Sequence, residues 1–137
     1  MAANTNPIYS LAGQIEWGAT ALATANTAKD GTGTVLTVFT GNAEGSYLQR
    51  IRFRAAGTNI ATVARIFINN GSSNATPANN ILFAEITLAA TTLSEVAALA
   101  DYELPLGFVL PNGYKINCTV GTTVAAVYFI SVIGGHY

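Results

Sequence analysis

In the segment Arg50-Ile51-Arg52-Phe53-Arg54, charged and apolar residues alternate with a period of two. This is the repeat of a β-strand that has one face in the core and the other in solvent. Ile51 and Phe53 therefore belong to the core face, and the three arginines share the outer face. The alternation predicts a strand over Tyr47–Ala55.

Short runs of β-branched and aromatic residues recur on both sides of this strand, separated by clusters of Gly, Asn, Pro and Ser. Such a rhythm is typical of an all-β sandwich or barrel. The predicted strands are Gln14–Ala19, Thr34–Phe39, Tyr47–Ala55, Ala61–Asn69, Ile81–Thr87, Leu99–Leu104, Gly113–Val120 and Ala125–Ile133. About eight strands are enough for two packed sheets, so we predict a single-domain, jelly-roll-like antiparallel β-sandwich over residues 10–137. Residues 1–9 are predicted to form a flexible N-terminal arm that orders on a neighbouring subunit.

Two connecting segments stand out from this pattern. Thr92-Leu93-Ser94-Glu95 matches a helix capping box and is followed by good helix formers, so it predicts either one short helical turn or a plain crossover between the sheets. The segment Asn69–Asn80 is polar and predicts a long loop, which could reach a neighbour or a ligand.

Charge is scarce in this chain, with six basic and seven acidic residues among 137, while half of the residues are apolar. A domain of this size has too little interior to hide so many apolar residues, and we therefore predict an obligate oligomer or a part of a larger assembly. The net charge of −1 provides no general attraction to nucleic acid or to anionic lipid. The apolar run Val124–Ile133 is about half of the roughly 20 residues that a membrane span needs. The N-terminus has no secretory pattern, which predicts synthesis in a cytoplasm.

The residues that could perform chemistry are few. Cys118 is the only cysteine and alternates with Ile116 and Val120, which predicts a buried small hydrophobe rather than a nucleophile or a zinc ligand. His136 is the only histidine, and catalysis by it would require a nucleophile and an orienting carboxylate nearby. We predict that the protein is not an enzyme and has no metal or other cofactor.

The arginine-rich strand has two interpretations. If the strand that carries Arg65 is its antiparallel neighbour, Arg50, Arg52, Arg54 and Arg65 form a patch that could hold a neighbouring subunit or phosphate. The favoured alternative is pairing within the chain or a subunit contact, with Glu85, Glu103 or Asp101 as the carboxylates within reach. Asp101 and Glu103 share one strand face and could also serve a glycosidase or calcium site, although this is the less favoured role.

The last predicted strand is apolar on both faces. Tyr128 and Phe129 should point in opposite directions, so that one packs inward while the other can meet a neighbouring subunit.

The segment Leu110-Pro111-Asn112-Gly113-Tyr114-Lys115-Ile116 leads into a strand, and the chain closes on Val127-Tyr128-Phe129-Ile130-Ser131-Val132-Ile133-Gly134-Gly135. Together with the run of short strands, these segments resemble the jelly-roll head-decoration (cement) proteins of tailed bacteriophages. The Leu-Pro-x-Gly-Tyr element is also similar to that of trimeric tumour-necrosis-factor-like jelly rolls.

The resemblance implies a homotrimeric virion protein on the outer surface of the capsid, where it clamps subunits of the major capsid protein together. The residues expected to contact the shell or a neighbouring subunit are Asn4, Pro7, Ile8, Tyr9, Arg50, Arg52, Arg54, Arg65, Tyr128 and Tyr137. Two alternatives stay open. One is a trimeric receptor- or glycan-binding module of a fibre or spike, which would use the loop Asn69–Asn80. The other is a cupin-type enzyme, which would need clustered histidines.

Overall fold

The chain forms two antiparallel sheets of four strands each in a computed structural model that describes residues 12–17 and 22–137. The strands are β1 (Ala12–Trp17), β2 (Leu36–Thr40), β3 (Ser46–Ala55), β4 (Thr62–Asn69), β5 (Asn80–Leu88), β6 (Asp101–Leu110), β7 (Lys115–Val120) and β8 (Tyr128–His136). Each predicted strand overlaps one of these, so the predicted all-β fold is confirmed. The arm residues Asn4, Pro7, Ile8 and Tyr9 lie outside the described residues.

The strand order pairs strands of the first half of the chain with strands of the second half. Sheet 1 has the order β1-β8-β3-β6 and sheet 2 has the order β2-β7-β4-β5. Each early strand therefore pairs with a late one, β1 with β8, β2 with β7, β3 with β6 and β4 with β5. This is the connectivity of a jelly roll, in which two Greek-key halves wrap around one core.

The core lies between the two sheets and is built from the alternate residues of each strand. On β3, Leu48, Ile51 and Phe53 have no solvent exposure, while the arginines between them face outward. Cys118 is buried in the same core together with Ile116 and Val120, as predicted. Burying these side chains is the main term that stabilises the sandwich.

Two strands run further than predicted. β6 continues through Pro105 and Gly107 to Leu110, and β8 continues through Gly134 to His136. Proline is tolerated in β6 because this strand lies at the edge of sheet 1 and has a hydrogen-bonding partner on one side only. In β8, the missing side chain of Gly134 lets the backbone of β3 approach closely.

Of the two alternatives for Thr92–Leu99, the helical turn is wrong and the plain crossover is confirmed, because the segment connects the two sheets without a helix. Thr91 forms an isolated bridge with Asn59, and the Leu93 amide donates a hydrogen bond to Thr58 Oγ1 at 3.0 Å. These bonds to a distant loop replace the local ones that a capping box would make. The one short 3₁₀ helix of the described residues is instead Pro77–Asn79, inside the long polar loop.

Candidate interaction surfaces

The arginines of β3 pair with carboxylates across the outer face of sheet 1. The register of β3 and β6 places Arg54 opposite Asp101 and Arg52 opposite Glu103. Asp101 accepts hydrogen bonds from Arg52 and from Arg54, the latter at 2.5 Å between Nη1 and Oδ1. Glu103 lies 3.8 Å from Nε of both Arg50 and Arg52. The predicted cross-strand pairing of these arginines is therefore confirmed.

The electrostatic effect of this arrangement is concentrated on Asp101. The hydrogen bond from Arg52 is the largest cause that lowers the pKa of the Asp101 carboxyl, and the bond from Arg54 adds to it. Both partners are more than a third exposed, so each pair adds little to stability and mainly fixes the side chains. These three arginines thus face two carboxylates, which leaves about one positive charge on this surface.

Arg65 does not belong to this group, so the patch of four arginines, which required its strand to be the neighbour of β3, does not form. Although β3 and β4 follow each other in the chain, β4 lies in sheet 2 and β3 in sheet 1. Arg65 is nearly buried, and its Nε donates to Glu85 Oε1 at 2.7 Å on the neighbouring β5. Its partner Glu85 is one of the three carboxylates that the sequence predicted, but this pair lies on sheet 2 and not on sheet 1.

The two aromatic residues at the start of β8 point in opposite directions, as predicted. Tyr128 is fully buried in the core, whereas Phe129 is 58% exposed on the outer face of sheet 1. Burial raises the pKa of the Tyr128 hydroxyl. Tyr128 is therefore not accessible to a neighbouring subunit, which corrects the expectation for this residue. Tyr137 is half-buried, and its amide donates a hydrogen bond to the carbonyl of Gly45 at 3.2 Å.

His136 lies in a polar cluster that the sequence did not reveal. Its Nδ1 is 2.6 Å from Ser46 Oγ, and its Nε2 is 3.5 Å from Glu16 Oε1. The ring also packs against Phe39, with 5.6 Å between centroids. A hydroxyl, an imidazole and a carboxylate in contact are the components of nucleophilic catalysis.

Access decides how this cluster can act. Ser46 has no solvent exposure, and its Oγ also accepts a hydrogen bond from the Asn42 amide at 3.1 Å. A substrate carbonyl therefore cannot reach the hydroxyl in this conformation, and the cluster joins β1, β3 and β8 at one end of sheet 1. No local motif marks it, because only the register of distant strands brings the three residues together.

Cys118 is buried, and the described acidic residues form no metal-binding group. Burial strongly raises the pKa of the Cys118 thiol, which keeps it protonated and unreactive. Across residues 12–17 and 22–137, no group of three or more His, Cys, Asp and Glu side chains could hold a metal ion.

The long polar loop is held by its own asparagines. Asn69 Nδ2 donates to Asn80 Oδ1 at 2.8 Å, and Asn80 Nδ2 donates to the carbonyl of Asn74 at 2.9 Å. Asn74 Nδ2 in turn donates to the carbonyl of Gly33 at 2.8 Å. These amides tie the loop to residues 26–34, so they are occupied inside the chain.

The loop 26–34 and the outward side of sheet 2 are also held by asparagine side chains. The loop 26–34 is closed at its base by Asn26 Nδ2, which donates to the carbonyl of Thr34 at 2.8 Å, and is fastened at its tip by Asn74. Phe67 and Asn117 pair on the outward side of this sheet and are nonetheless buried. Asn117 Oδ1 accepts a hydrogen bond from Thr37 Oγ1 of the neighbouring β2 at 2.7 Å.

One margin of the sandwich is open. β6 is an edge strand of sheet 1, and β5 is an edge strand of sheet 2. Across the gap between these two edges, the rings of Phe83 and Phe108 are in contact, with 5.2 Å between their centroids. The apolar residues along this gap form what we call the β5–β6 mouth: Ile81, Phe83 and Ile86 on β5, and Leu104, Leu106 and Phe108 on β6. Ile81 is 64% exposed and Phe83 is 42% exposed, while the other four are half-buried. The sequence does not reveal this surface, because an alternating strand has the same pattern at the edge of a sheet and at its centre.

Comparisons with protein families, curated proteins and solved structures find no match to this chain. In the described part of the chain, no helix is long and apolar enough to cross a membrane.

Proposed function

We propose that this chain is a non-enzymatic structural subunit that acts within a larger assembly. The specific form of the proposal is a trimeric decoration or cement protein. It would sit on the outer surface of a tailed-bacteriophage capsid, where subunits of the major capsid protein meet.

The observation that carries the proposal is the apolar β5–β6 mouth on a chain that has so little charge. Six basic and seven acidic residues must keep 137 residues in solution, and four of the arginines are already paired within the chain. A protein that works alone normally spreads charge over its surface and exposes few apolar side chains together. Burial against other protein removes this difficulty.

Such a protein acts through binding energy alone. A subunit that bridges two shell proteins stabilises the assembled state over the separated one, because it binds only when both are in place. Three linked copies can strengthen a modest single contact by about 10²- to 10⁴-fold, provided that all three engage together.

Two kinds of measurement test the proposal: the mass of the purified protein by light scattering, and its sedimentation with heads from a deletion mutant of the encoding phage. We expect a trimer that sediments with the heads and raises the temperature at which they open. A protein that leaves the heads unchanged would contradict the decoration role. Deleting residues 2–9 then tests whether the arm contributes to attachment.

The glycan-binding alternative depends on the loop Asn69–Asn80. Sugar recognition needs free amide and hydroxyl groups at the surface, and the amides of Asn69, Asn74 and Asn80 already bond within the chain. No feature of the described residues favours this alternative over the structural role. Binding of the purified protein on a glycan array would reverse that preference.

A further inference from the structure

We infer that copies of this chain associate through two different surfaces, a loop on one copy and the outer face of sheet 1 on the next. The loop consists of residues 93–98 between β5 and β6, and we call it the tip loop. The inference rests on the proposed function and deepens it, because it names the contact that builds the assembly. A contact between two unlike surfaces can repeat around an axis and close a ring, such as the proposed trimer.

The tip loop presents apolar side chains on a fixed base. Val96 is 97% exposed, Leu93 is 54% exposed, and the two alanines after Val96 are exposed as well. At the base, the Leu93 amide donates to Thr58 Oγ1, and two backbone hydrogen bonds join Thr91 to Asn59. Because its base is already ordered, this loop loses less conformational entropy on binding than a free segment would.

Glu95 at the centre of the tip loop determines what kind of surface can receive it. Its side chain is exposed, and within residues 12–17 and 22–137 its carboxylate forms no ion pair. Burying Leu93 and Val96 against a partner also brings this carboxylate into the contact, which is costly unless it meets a positive charge. The receiving surface therefore has to combine apolar side chains with a cation.

The outer face of sheet 1 has this combination. The register of β3 and β8 places Phe129 beside Arg54 and Ile133 beside Arg50. Phe129 is 58% exposed, and Ile15, which pairs with Ile133 from β1, is 61% exposed. An apolar column on β8 and β1 thus runs alongside the arginine column of β3.

The charges of this face leave room for one more carboxylate. Asp101 accepts hydrogen bonds from Arg52 and Arg54, whereas Glu103 lies 3.8 Å from Arg50 Nε, which is too far for a hydrogen bond. Three guanidinium groups therefore face two carboxylates, and Arg50 is the least engaged of the three. Glu95 of a second copy would balance the charge, which is the complementarity expected of a specific contact.

The test reverses the charges of the inferred pair, first one at a time and then together. Light scattering at one chain concentration should give the wild type a mass that is a multiple of 14.2 kDa. Glu95→Arg and Arg50→Glu should each shift the mass towards that of one chain. The double variant should recover the wild-type mass, because the two reversed charges are again opposite. Arg50→Glu leaves the hydrogen bonds to Asp101 in place, since Arg52 and Arg54 donate them.

Glu44→Arg is the matched control. Glu44 is also exposed and forms no ion pair with a described residue, but its neighbours in the chain are Ala43 and Gly45 instead of large apolar residues. The same change of charge at this turn should leave the mass unchanged. Val96→Ser removes apolar area at the tip without a change of charge and should lower the mass. Circular dichroism verifies that each variant is folded.

Each outcome supports or overturns the inference. Loss of mass in both single variants with recovery in the double variant would support it. An assembled wild type whose mass survives Glu95→Arg, or a double variant that stays dissociated, would overturn the inference and leave the proposed assembly role standing. Loss of mass in Glu44→Arg would overturn it as well, because the effect would then be one of net charge. A wild type with the mass of one chain would overturn the inference and the predicted self-association together, while sedimentation with phage heads still tests the decoration role separately.

Discussion

At Gly134 the backbone of β8 lies close to that of β3, so replacing this glycine with alanine should destabilise the fold. A Cβ built at this position would lie 2.1 Å from the carbonyl oxygen of Tyr47 and 3.1 Å from the Cα of Leu48. Both atoms belong to the backbone of β3, so a change of side-chain rotamer cannot relieve the clash. The strands would have to separate by about 1 Å, and forced overpacking of this kind costs about 1–3 kcal/mol, with a backbone clash at the upper end.

We therefore expect Gly134→Ala to lower the free energy of unfolding by about 3 kcal/mol, out of the roughly 5–15 kcal/mol typical of a domain. For a chain of this length the unfolding temperature should fall by about 10 °C. Urea denaturation and calorimetry measure both quantities, at one fixed chain concentration so that any self-association contributes equally to each variant.

Gly13→Ala is the matched control. Gly13 lies on β1 in the same sheet, and a Cβ added there would have no atom within 4 Å. This variant should be unchanged or up to about 1 kcal/mol more stable, since alanine reduces the entropy of the unfolded chain. A difference of less than about 0.5 kcal/mol between the unfolding free energies of the two variants would contradict this prediction, because surface substitutions without a structural effect usually fall within that range.

Three further predictions concern titration and core packing. Burial raises the pKa of the Cys118 thiol above its ordinary 9.0. The contribution of this thiol to stability should therefore be constant below about pH 9 and fall above it, and Cys118→Ala should flatten that alkaline decline in pH-dependent urea titrations. The buried Tyr128 hydroxyl is within reach of the Asn59 side chain but forms no hydrogen bond of normal geometry among the described residues, so Tyr128→Phe should change the free energy of unfolding by no more than about 1 kcal/mol in either direction, and calorimetry showing a larger loss would contradict this. The bonds from Arg52 and Arg54 lower the pKa of Asp101 below its ordinary 3.8, so their contribution to stability is present above that pH and is lost as the pH falls. Asp101→Asn should therefore make the acid decline in the unfolding temperature shallower. An unchanged acid decline would show that the pairing contributes nothing to stability.

The two strands that were predicted too short show where local patterns mislead. Pro105 and the pair Gly134-Gly135 are ordinary signals for the end of a strand. In the fold, β6 tolerates proline because it is an edge strand, and β8 needs glycine because the backbone of Tyr47 occupies the place of a side chain. The same residue types thus have a different meaning once the neighbouring strand is known.

The capping box at Thr92–Glu95 failed for a related reason. Its local signal favours a helical turn, but Leu93 donates its amide to Thr58, and Thr91 bridges Asn59. Hydrogen bonds to another loop compete with a single helical turn, which is intrinsically unstable because it fixes several residues for few bonds.

Of the candidate surfaces, too, one could be predicted from the sequence and one could not. Pairing of Arg52 and Arg54 with Asp101 could be predicted, because the few carboxylates of the chain restrict the choice of partners. The cluster of Ser46, His136 and Glu16 could not, since its members are far apart in the sequence and no spacing relates them.

The sequence by itself determined that this protein is an all-β sandwich with about eight strands and a charge-poor surface. Period-two alternation and turn residues are local properties, so they can be read without knowledge of the partner strands. Tertiary structure alone decided that β3 and β4 lie in different sheets and that β5 and β6 leave an open apolar margin. The reason is that strand pairing depends on hydrogen bonds between residues distant in the chain, and alternation specifies which face of a strand is buried but not which strand lies beside it.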